Sequence, residues 1–155
     1  GDDGSRAAAF AEFLRAHLSA TETRCADDDC AKAAVTERRL ASAPKVFSLV
    51  IAHDSDAASH EDIRRALAAV EPEIELGQVY GAPPGAPPQT ARLRHINAFA
   101  LAHYVAFTWD DMSGAWLLRD DTMCRVVGPS FDDVVRKCVD NRYQPGLLFY
   151  ECDPA

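Results

Sequence analysis

A histidine and an aspartate lie at the outer ends of two apolar, aromatic-rich runs, His103–Trp109 and Ala115–Asp120, which flank a short Asp/Ser/Gly cluster. This pattern predicts a β-hairpin. With the turn centred at Asp111–Met112, His103 lies opposite Asp120. A carboxylate beside an imidazole fixes the tautomer of the ring and supports its protonated form, as a general base requires. The hairpin therefore predicts two of the three members of a catalytic triad.

The same register pairs apolar side chains on the face that carries His103. Val105 lies opposite Leu118 and Phe107 opposite Trp116, because side chains alternate with period two along a strand. Burial of these pairs is expected to hold the register, since a slip of one residue turns every side chain to the other face. The competing interpretation is a histidine at a strand edge that makes only a structural hydrogen bond. The hairpin alone does not separate the two.

Around the hairpin, amphipathic helices alternate with strands. Apolar spacing predicts a helix over residues 6–18, a capping box at Ser59 starts a second helix, and Ser130 caps a third that reaches residue 141. Residues 31–40 fit either a strand or a short helix. Further strands are expected at 45–52, 93–102, 124–127 and 147–151. Helices beside a mainly antiparallel sheet define an α+β fold.

The composition of the chain limits which classes of binding partner and which cellular compartment are expected. The chain of 155 residues has 16 Lys and Arg against 24 Asp and Glu, a formal net charge of -8. Nucleic acids and anionic membranes require basic patches, so neither is expected as the main partner. The longest apolar run, residues 46–52, is far shorter than the roughly 18 residues that cross a bilayer. Five cysteines, an odd number, favour reduced thiols and an intracellular protein, cytoplasmic or nuclear.

Several segments together resemble one protease family. His103-Tyr104 before an apolar strand, a Trp on the return strand and the Asp120-Asp121 pair resemble the histidine and aspartate boxes of the ubiquitin-specific proteases. The resemblance continues through Val126–Gly128 and through Gln144–Tyr150, whose Pro-x-Leu-Leu-x-Tyr character matches the family's final strand. Upstream, Ala43–Val50 resembles the strand that enters the palm of the same fold.

The resemblance implies a fold and a division of the chain. It covers roughly residues 10–150 and corresponds to the C-terminal half of a catalytic domain in the papain-like cysteine protease superfamily. Residues 1–43 would form an N-terminal helix and part of the zinc-binding fingers. Residues 44–155 would form a palm-like region that carries both boxes.

The activity implied by the resemblance is hydrolysis of the bond after the C-terminal glycine of ubiquitin by a cysteine thiolate. His103 would be the general base, Asp120 would orient it, and Asp121 would belong to the same acidic network. Tyr104 is part of the histidine motif, with a packing role, and is the candidate for contact with substrate. The implied partners are ubiquitin or ubiquitinated proteins and the N-terminal half of the same catalytic domain. The chemistry requires no cofactor.

A metal site is implied by the family rather than by the chain. The fingers of ubiquitin-specific proteases hold a zinc ion with two cysteine pairs, and Cys25 and Cys30 stand where the second pair would be. Structural zinc takes four ligands. No other residue of the chain is expected to complete the set, so zinc binding would require an additional cysteine pair from upstream sequence.

The nucleophile of the family has no counterpart in this sequence. The family places it in an Asn-containing box where the cysteine opens a helix, and none of the five cysteines has such surroundings. Cys138 lies inside an amphipathic helix, Cys152 follows the last strand, and Cys124 lies four residues past Asp120. The chain alone is therefore expected to be inactive, with the nucleophile supplied by the N-terminal half.

Two hypotheses about function remain. Active members of the family have a glycine near the histidine, whereas this chain has none between Gly85 and Gly114, which favours a stiff, strand-like approach to His103. Residues 133–138 and 143–145 resemble a divergent subgroup regarded as weakly active or inactive. The chain is then either part of an active deubiquitinase or part of an inactive pseudo-deubiquitinase that binds ubiquitin or acts as a scaffold. A Cys box in the upstream sequence would favour the enzyme.

Overall fold

The computed structural model describes residues 3–152, apart from 19, 28, 31, 43, 54, 56, 83, 84 and 86. The helices in this part of the chain are α1 (Asp3–Leu18), α2 (His60–Ala68), α3 (Leu76–Tyr80) and α4 (Phe131–Asn141). The strands are β1 (Ala20–Arg24), β2 (Ala33–Glu37), β3 (Val46–Val50), β4 (Glu73–Glu75), β5 (Thr90–Ala100), β6 (His103–Asp110), β7 (Ala115–Asp120), β8 (Met123–Gly128) and β9 (Gln144–Cys152).

The strands form two sheets. β1 and β2 make a separate two-stranded sheet, and the other strands form one sheet in the order β3-β9-β5-β6-β7-β8, with β4 also paired to β5. Every pairing between the described strands is antiparallel. The predicted α+β fold with a mainly antiparallel sheet is confirmed.

Alternating burial along the strands builds one core. β6 buries Val105 and Phe107, and β7 buries Trp116 and Leu118, while the residues between them are more exposed. Buried residues of the helices complete this core: Ala11, Leu14, Ile63, Leu67, Leu76, Val79, Val134, Cys138 and Val139. One face of the sheet is therefore covered by helices.

The predicted capping box at Ser59 is present, and the predicted cap at Ser130 is also part of a capping box. The hydroxyls of Ser59 and Ser130 accept a hydrogen bond from the backbone N–H of the residue three positions on, and the carboxylates of Asp62 and Asp133 accept from the backbone N–H of their serines. Such reciprocal bonds satisfy two N–H groups at each helix start that have no intrahelical acceptor. They fix where α2 and α4 begin.

The two capped helices are joined through a histidine. The Nδ1 of His60, in the first turn of α2, lies 2.7 Å from the carbonyl oxygen of Val139 in α4, and its Nε2 accepts from Arg142 Nε at 3.0 Å. Arg142 caps α4 in a left-handed conformation, φ 53°. His60 therefore bridges the start of one helix and the end of the other, although its position in a first turn predicts no such role.

The loop between β3 and α2 is held by the start of β9. Gln144, which is buried, donates to the carbonyl of Ser55 at 2.8 Å and accepts from the N–H of Ala58 at 3.1 Å. His53 Nε2 lies 2.5 Å from the carbonyl oxygen of Pro145. These hydrogen bonds connect the loop before α2 to the start of β9.

Two local predictions differ from the structure. Strand β5 ends at Ala100 and does not run into His103, because the chain reverses at residues 101–102. The polar composition of residues 21–30 predicts a loop, but strand β1 extends to Arg24. Residues 31–40, which fit either a strand or a helix, contain strand β2. The short elements β4 and α3 were not predicted, since three and five residues are too few to show a period.

None of the helices in the described part of the chain is long and apolar enough to cross a membrane.

Candidate active site

A tight turn places His103 at the beginning of β6. Leu101 and Ala102 connect β5 to β6, and Ala100 pairs with His103, so the connection has only two residues. Both have positive φ, 51° and 66°. Two-residue hairpin loops require such values in their commonest form, which is why Asn-Gly is the usual sequence there. The turn that precedes His103 therefore contains no glycine, although its backbone adopts the positive φ values that glycine favours.

The β6–β7 hairpin has a different register from the predicted one. Phe107 pairs with Leu118 and Trp109 with Trp116, a shift of two residues from the expected pairing of Phe107 with Trp116. The turn has four residues, 111–114, because Asp110 accepts hydrogen bonds from Ser113 and its carbonyl accepts from the N–H of Gly114. A shift of two preserves the faces, since side chains alternate with period two.

Despite this shift, the imidazole and the carboxylate meet. His103 Nε2 lies 2.6 Å from Asp120 Oδ1, with the side chains 42% and 27% exposed. A proton on Nε2 that is donated to the carboxylate leaves Nδ1 with its lone pair, which fixes the tautomer. The geometry is that of an oriented imidazole able to accept a proton.

The surroundings favour the protonated form of this imidazole. The hydrogen bond with Asp120 raises the pKa of His103, desolvation partly opposes the increase, and the charges of Asp121 and Asp120 add to it. Asp121 has a positive φ of 48° in the turn after β7, and its carboxylate lies within 4.8 Å of the ligand atoms of His103 and Asp120. The structure thus brings together His103, Asp120 and Asp121.

Tyr104 is placed differently. It follows His103 on β6 and therefore projects from the opposite face of the sheet. Its side chain is 71% exposed and packs against Phe99, with ring centroids 5.0 Å apart. This position agrees with packing on the outer face and separates Tyr104 from the imidazole.

Known proteins resemble this chain over most of its length. No protein-family model matches it. Ubiquitin carboxyl-terminal hydrolase 53 of Homo sapiens is 26% identical over 144 residues, 91% of this chain, and ubiquitin carboxyl-terminal hydrolase 54 of Rattus norvegicus is 26% identical over 148 residues, 94% of this chain. The chain spans only 13% and 9% of the lengths of these relatives. The sequence of this chain is therefore similar to those of ubiquitin-specific proteases, at low identity.

The fold agrees with this relationship. A solved structure of the SAGA DUB module that contains Ubp8, Sgf11, Sus1 and Sgf73 matches with a TM-score of 0.54 at 17% identity, over 93% of this chain and 30% of that chain. The resemblance to ubiquitin-specific proteases, drawn from the histidine and aspartate boxes, is confirmed by the sequence similarity, and the fold of the solved structure agrees with it. The roles of individual residues remain predictions.

Two features beside the β6–β7 hairpin were not predicted from the sequence. The first is the turn at Leu101–Ala102, since neither residue type favours positive φ. A signal existed, because an unbroken strand from residue 93 to 109 would be far longer than most strands. The second is a pocket of about 100 Å³ beside Asp120, lined by Leu118, Asp120, Met123, Arg125, Lys137, Asn141 and Tyr143.

Asp120 lines that pocket together with polar side chains of β8 and α4, which are Arg125, Lys137 and Asn141. Tyr143 follows the left-handed cap of α4, and its ring contacts Phe107 edge-on, with centroids 6.0 Å apart. Burial raises the pKa of Tyr143, and the negative charge of Asp120 raises it further. The carboxylate of Asp120 is therefore close enough to the phenol of Tyr143 to raise its pKa, and Lys137 lines the same pocket.

Three of the described cysteines offer no accessible nucleophile to His103. Cys138 is fully buried, and burial raises the pKa of its thiol to about 12. Cys152 is buried as well. Cys124 is exposed, but Met123 pairs with Asp120, so the next residue projects from the opposite face. A thiolate nucleophile needs an accessible setting beside the base.

Cys25 and Cys30 lie in the connection between β1 and β2. The pKa of Cys25 is lowered by the backbone N–H of Asp27 and by Cys30. Structural zinc takes four ligands. Among the described residues, the only cluster of three potential ligands is at His103, so the two thiols have no third partner there. The residues present do not fit a zinc site by themselves.

Proposed function

We propose that this chain is part of the catalytic domain of a ubiquitin thiol hydrolase, with His103 as general base and Asp120 as the group that orients it. The observation that carries the proposal is the 2.6 Å contact between their side chains in a chain related to ubiquitin carboxyl-terminal hydrolases. The nucleophilic cysteine comes from residues outside this chain.

Each group has a defined part in the reaction. Nδ1 of His103 takes the thiol proton as the sulfur attacks the carbonyl carbon of the C-terminal glycine of ubiquitin, and it later gives the proton to the leaving amine. Asp120 holds the ring by Nε2 and stabilises the imidazolium formed in between. Asp121 adds negative charge beside the ring. The partners are therefore ubiquitin or ubiquitinated proteins and the N-terminal half of the same catalytic domain.

Reconstitution tests this proposal. The chain is produced joined to its upstream region, and hydrolysis of a ubiquitin C-terminal amide substrate is measured for His103→Ala, Asp120→Asn and the double variant. General-base catalysis contributes about 10²–10⁴-fold, so His103→Ala is expected to cost about that factor. Asp120→Asn should cost less, because an amide still orients the ring, and the double variant should resemble His103→Ala alone.

A control and a contrary result complete the test. His17→Ala changes an exposed histidine of α1 and should leave turnover unchanged. Additive losses in the double variant would contradict a shared role through one imidazole. The isolated chain is expected to show no specific labelling by a ubiquitin C-terminal electrophile. Stoichiometric labelling of one cysteine, abolished by His103→Ala, would mean that the nucleophile lies in this chain.

The second candidate is an inactive pseudo-deubiquitinase that binds ubiquitin or acts as a scaffold. It is favoured by the burial of Cys138 and Cys152, by the position of Cys124 on the opposite face of β8 from Asp120, and by the glycine-free turn before His103. It predicts that the joined protein binds ubiquitin, measured by calorimetry, without turnover and without labelling by the electrophile. Labelling of an upstream cysteine excludes it.

A further inference from the structure

One imidazole and two carboxylates meet at the end of the β6–β7 hairpin. His103 Nε2 lies 2.6 Å from Asp120 Oδ1, and one ligand atom from each of His103, Asp120 and Asp121 lies within 4.8 Å of the other two. His103 begins β6, Asp120 ends β7 in a pair with Met123, and Asp121 follows in the turn to β8. Paired strands therefore fix the backbone positions of all three side chains.

The negative charge of this cluster is only partly balanced. Among the residues that the structure describes, His103 is the only group that forms an ion pair with Asp120 or Asp121. Arg125 and Lys137 line the pocket beside Asp120, but neither is joined to it by an ion pair. A neutral imidazole leaves two carboxylate charges side by side, which is the charge that a divalent cation neutralises.

The donor set selects one kind of cation. Zinc binds imidazole nitrogen and carboxylate oxygen, and zinc sites that stay open to solvent use three protein ligands and a water. Magnesium and calcium take oxygen ligands. Ligand atoms around a tetrahedral zinc lie about 3.3 Å apart, so the 2.6 Å contact between His103 and Asp120 has to open by roughly 0.7 Å. The side chains of His103 and Asp120 are partly exposed and Asp121 is exposed, so small rotations can bring the three ligand atoms to these distances.

We propose that His103, Asp120 and Asp121 form a zinc site, in which the ion takes the place of the proton between His103 Nε2 and Asp120. The three side chains each supply one ligand atom, and a water molecule takes the fourth position. The Nε2 proton passes to solvent and Nδ1 takes one up, so the imidazole stays neutral while its tautomer is reversed. Only coordination bonds form, and no electron is transferred.

Zinc at this site blocks the general base. In the hydrolase reaction the lone pair of Nδ1 accepts the thiol proton, and a ring that is bound to zinc through Nε2 carries a proton on Nδ1 instead. Zinc is therefore a reversible inhibitor of the site rather than a cofactor. This consequence rests on the proposed hydrolase function, whereas the binding of zinc does not.

Titration with zinc chloride tests the binding directly. The chain carries Cys25→Ser, Cys30→Ser and Cys124→Ser, so that thiols outside the core do not compete for the ion. Calorimetry should show one equivalent of zinc bound, and ¹⁵N NMR of the imidazoles should show the proton of His103 on Nδ1 instead of Nε2 at saturation. Magnesium chloride at the same concentration should leave the tautomer unchanged. The NMR titration is repeated on the chain with all its cysteines, because the signals of His103 report its own tautomer whatever the thiols bind.

A pair of matched variants assigns the ligands. Asp121→Asn removes one ligand charge while Asp120 and His103 are kept, and it should weaken zinc binding at least by the roughly 10–100-fold that changes around metal ligands cost. Asp132→Asn makes the same substitution at an exposed residue of α4 and should leave the affinity unchanged. Equal zinc affinity in Asp121→Asn and its parent, an unchanged tautomer of His103 at saturation, or the same response to magnesium would overturn the proposal.

The two proposals fail separately. In the protein joined to its upstream region, turnover that survives His103→Ala would refute the hydrolase function and leave the zinc site in place, since binding is measured without turnover. Loss of turnover in His103→Ala, together with no reversal of the tautomer by zinc, would refute the zinc site alone.

Discussion

His103 and Asp120 meet diagonally across β6 and β7. Ala106 pairs with Arg119, so Asp120 lies level with Val105, two residues along the strand from His103, and the side chains bridge the offset to 2.6 Å. Diagonal neighbours on one sheet face are within reach of long side chains. The buried residues of the same face, Phe107 and Leu118, form a direct pair beside them and fix this offset.

The first prediction concerns the proton on this imidazole. Because the hydrogen bond with Asp120 raises the pKa of His103, Asp120→Asn should lower that pKa. The interaction between His103 and Asp120 should stabilise the folded protein fully below about pH 6.5, the ordinary pKa of histidine. This stabilisation should be lost as the pH rises through the elevated pKa of His103 in the folded protein. NMR titration of the imidazole and urea unfolding at several pH values measure both effects. Identical titration of His103 in the two proteins would contradict the assignment.

The second prediction concerns the turn before His103. Left-handed backbone costs a non-glycine residue roughly 1–2 kcal/mol, and Leu101 and Ala102 both adopt it. Replacing them by Asn and Gly should raise the free energy of unfolding by about 1 kcal/mol, although the added flexibility of glycine when unfolded offsets part of the gain. Ala106→Gly, inside β6, should instead destabilise by roughly 0.5–1 kcal/mol. Urea denaturation compares the three proteins.

The third prediction links a glycine to a helix cap. A β-carbon on Gly128 would collide with the side chain of Asp133, whose carboxylate completes the capping box of α4. Gly128→Ala should therefore destabilise by about 1–3 kcal/mol, and Ser130→Ala by about 1 kcal/mol. Gly146→Ala is the matched control, because the added β-carbon there has no heavy atom of another residue within 4 Å.

A double-mutant cycle sharpens this prediction. If Gly128→Ala acts by displacing Asp133 from the cap, the losses from Gly128→Ala and Ser130→Ala should sum to more than the loss in the double variant. Strictly additive losses would mean that the glycine acts through the backbone alone. Thermal unfolding of the four proteins gives the coupling.

The fourth prediction tests the link between β9 and the loop before α2. Gln144→Glu keeps an oxygen to accept from Ala58 but loses the donor to Ser55 and faces its carbonyl with a charge. It should destabilise by roughly 1–3 kcal/mol, since a buried polar group is left without its partner. Gln78→Glu, on the exposed side of α3, should change stability by less than about 0.5 kcal/mol. Equal losses of stability in Gln144→Glu and Gln78→Glu would contradict the role of Gln144 in holding the loop before α2.

Local chemistry made much of this fold predictable. The capping box at Ser59 and the cap at Ser130 predict the starts of α2 and α4, because side chains close in sequence satisfy the free N–H groups there. The set of side chains that share a face with His103 was also predictable, since the alternation of side chains along a strand does not depend on the length of the turn. The register of the hairpin was not, because turns of two and four residues suit the sequence around Met112 equally well.

Other features depend on contacts distant in sequence. The link from His60 to Val139 and Arg142 joins residues about eighty positions apart, and no local pattern indicates it. The pocket beside Asp120 likewise depends on Tyr143, which the left-handed cap of α4 turns toward the hairpin. The spacing of the two cysteines was visible in the sequence, whereas the polar composition of residues 21–30 concealed the β1–β2 hairpin beside them.

The position of β9 has a consequence for synthesis of the protein on the ribosome. Its residues come last among the strands, yet β9 lies between β3 and β5 in the sheet. Until residues 144–152 have left the exit tunnel, β3 has no described neighbour in that sheet, and one long edge of β5 remains open. Unpaired edges in nascent chains favour association with other chains. The nascent chain should therefore depend on chaperones until its final strand emerges, and then gain protection from protease in a single late step.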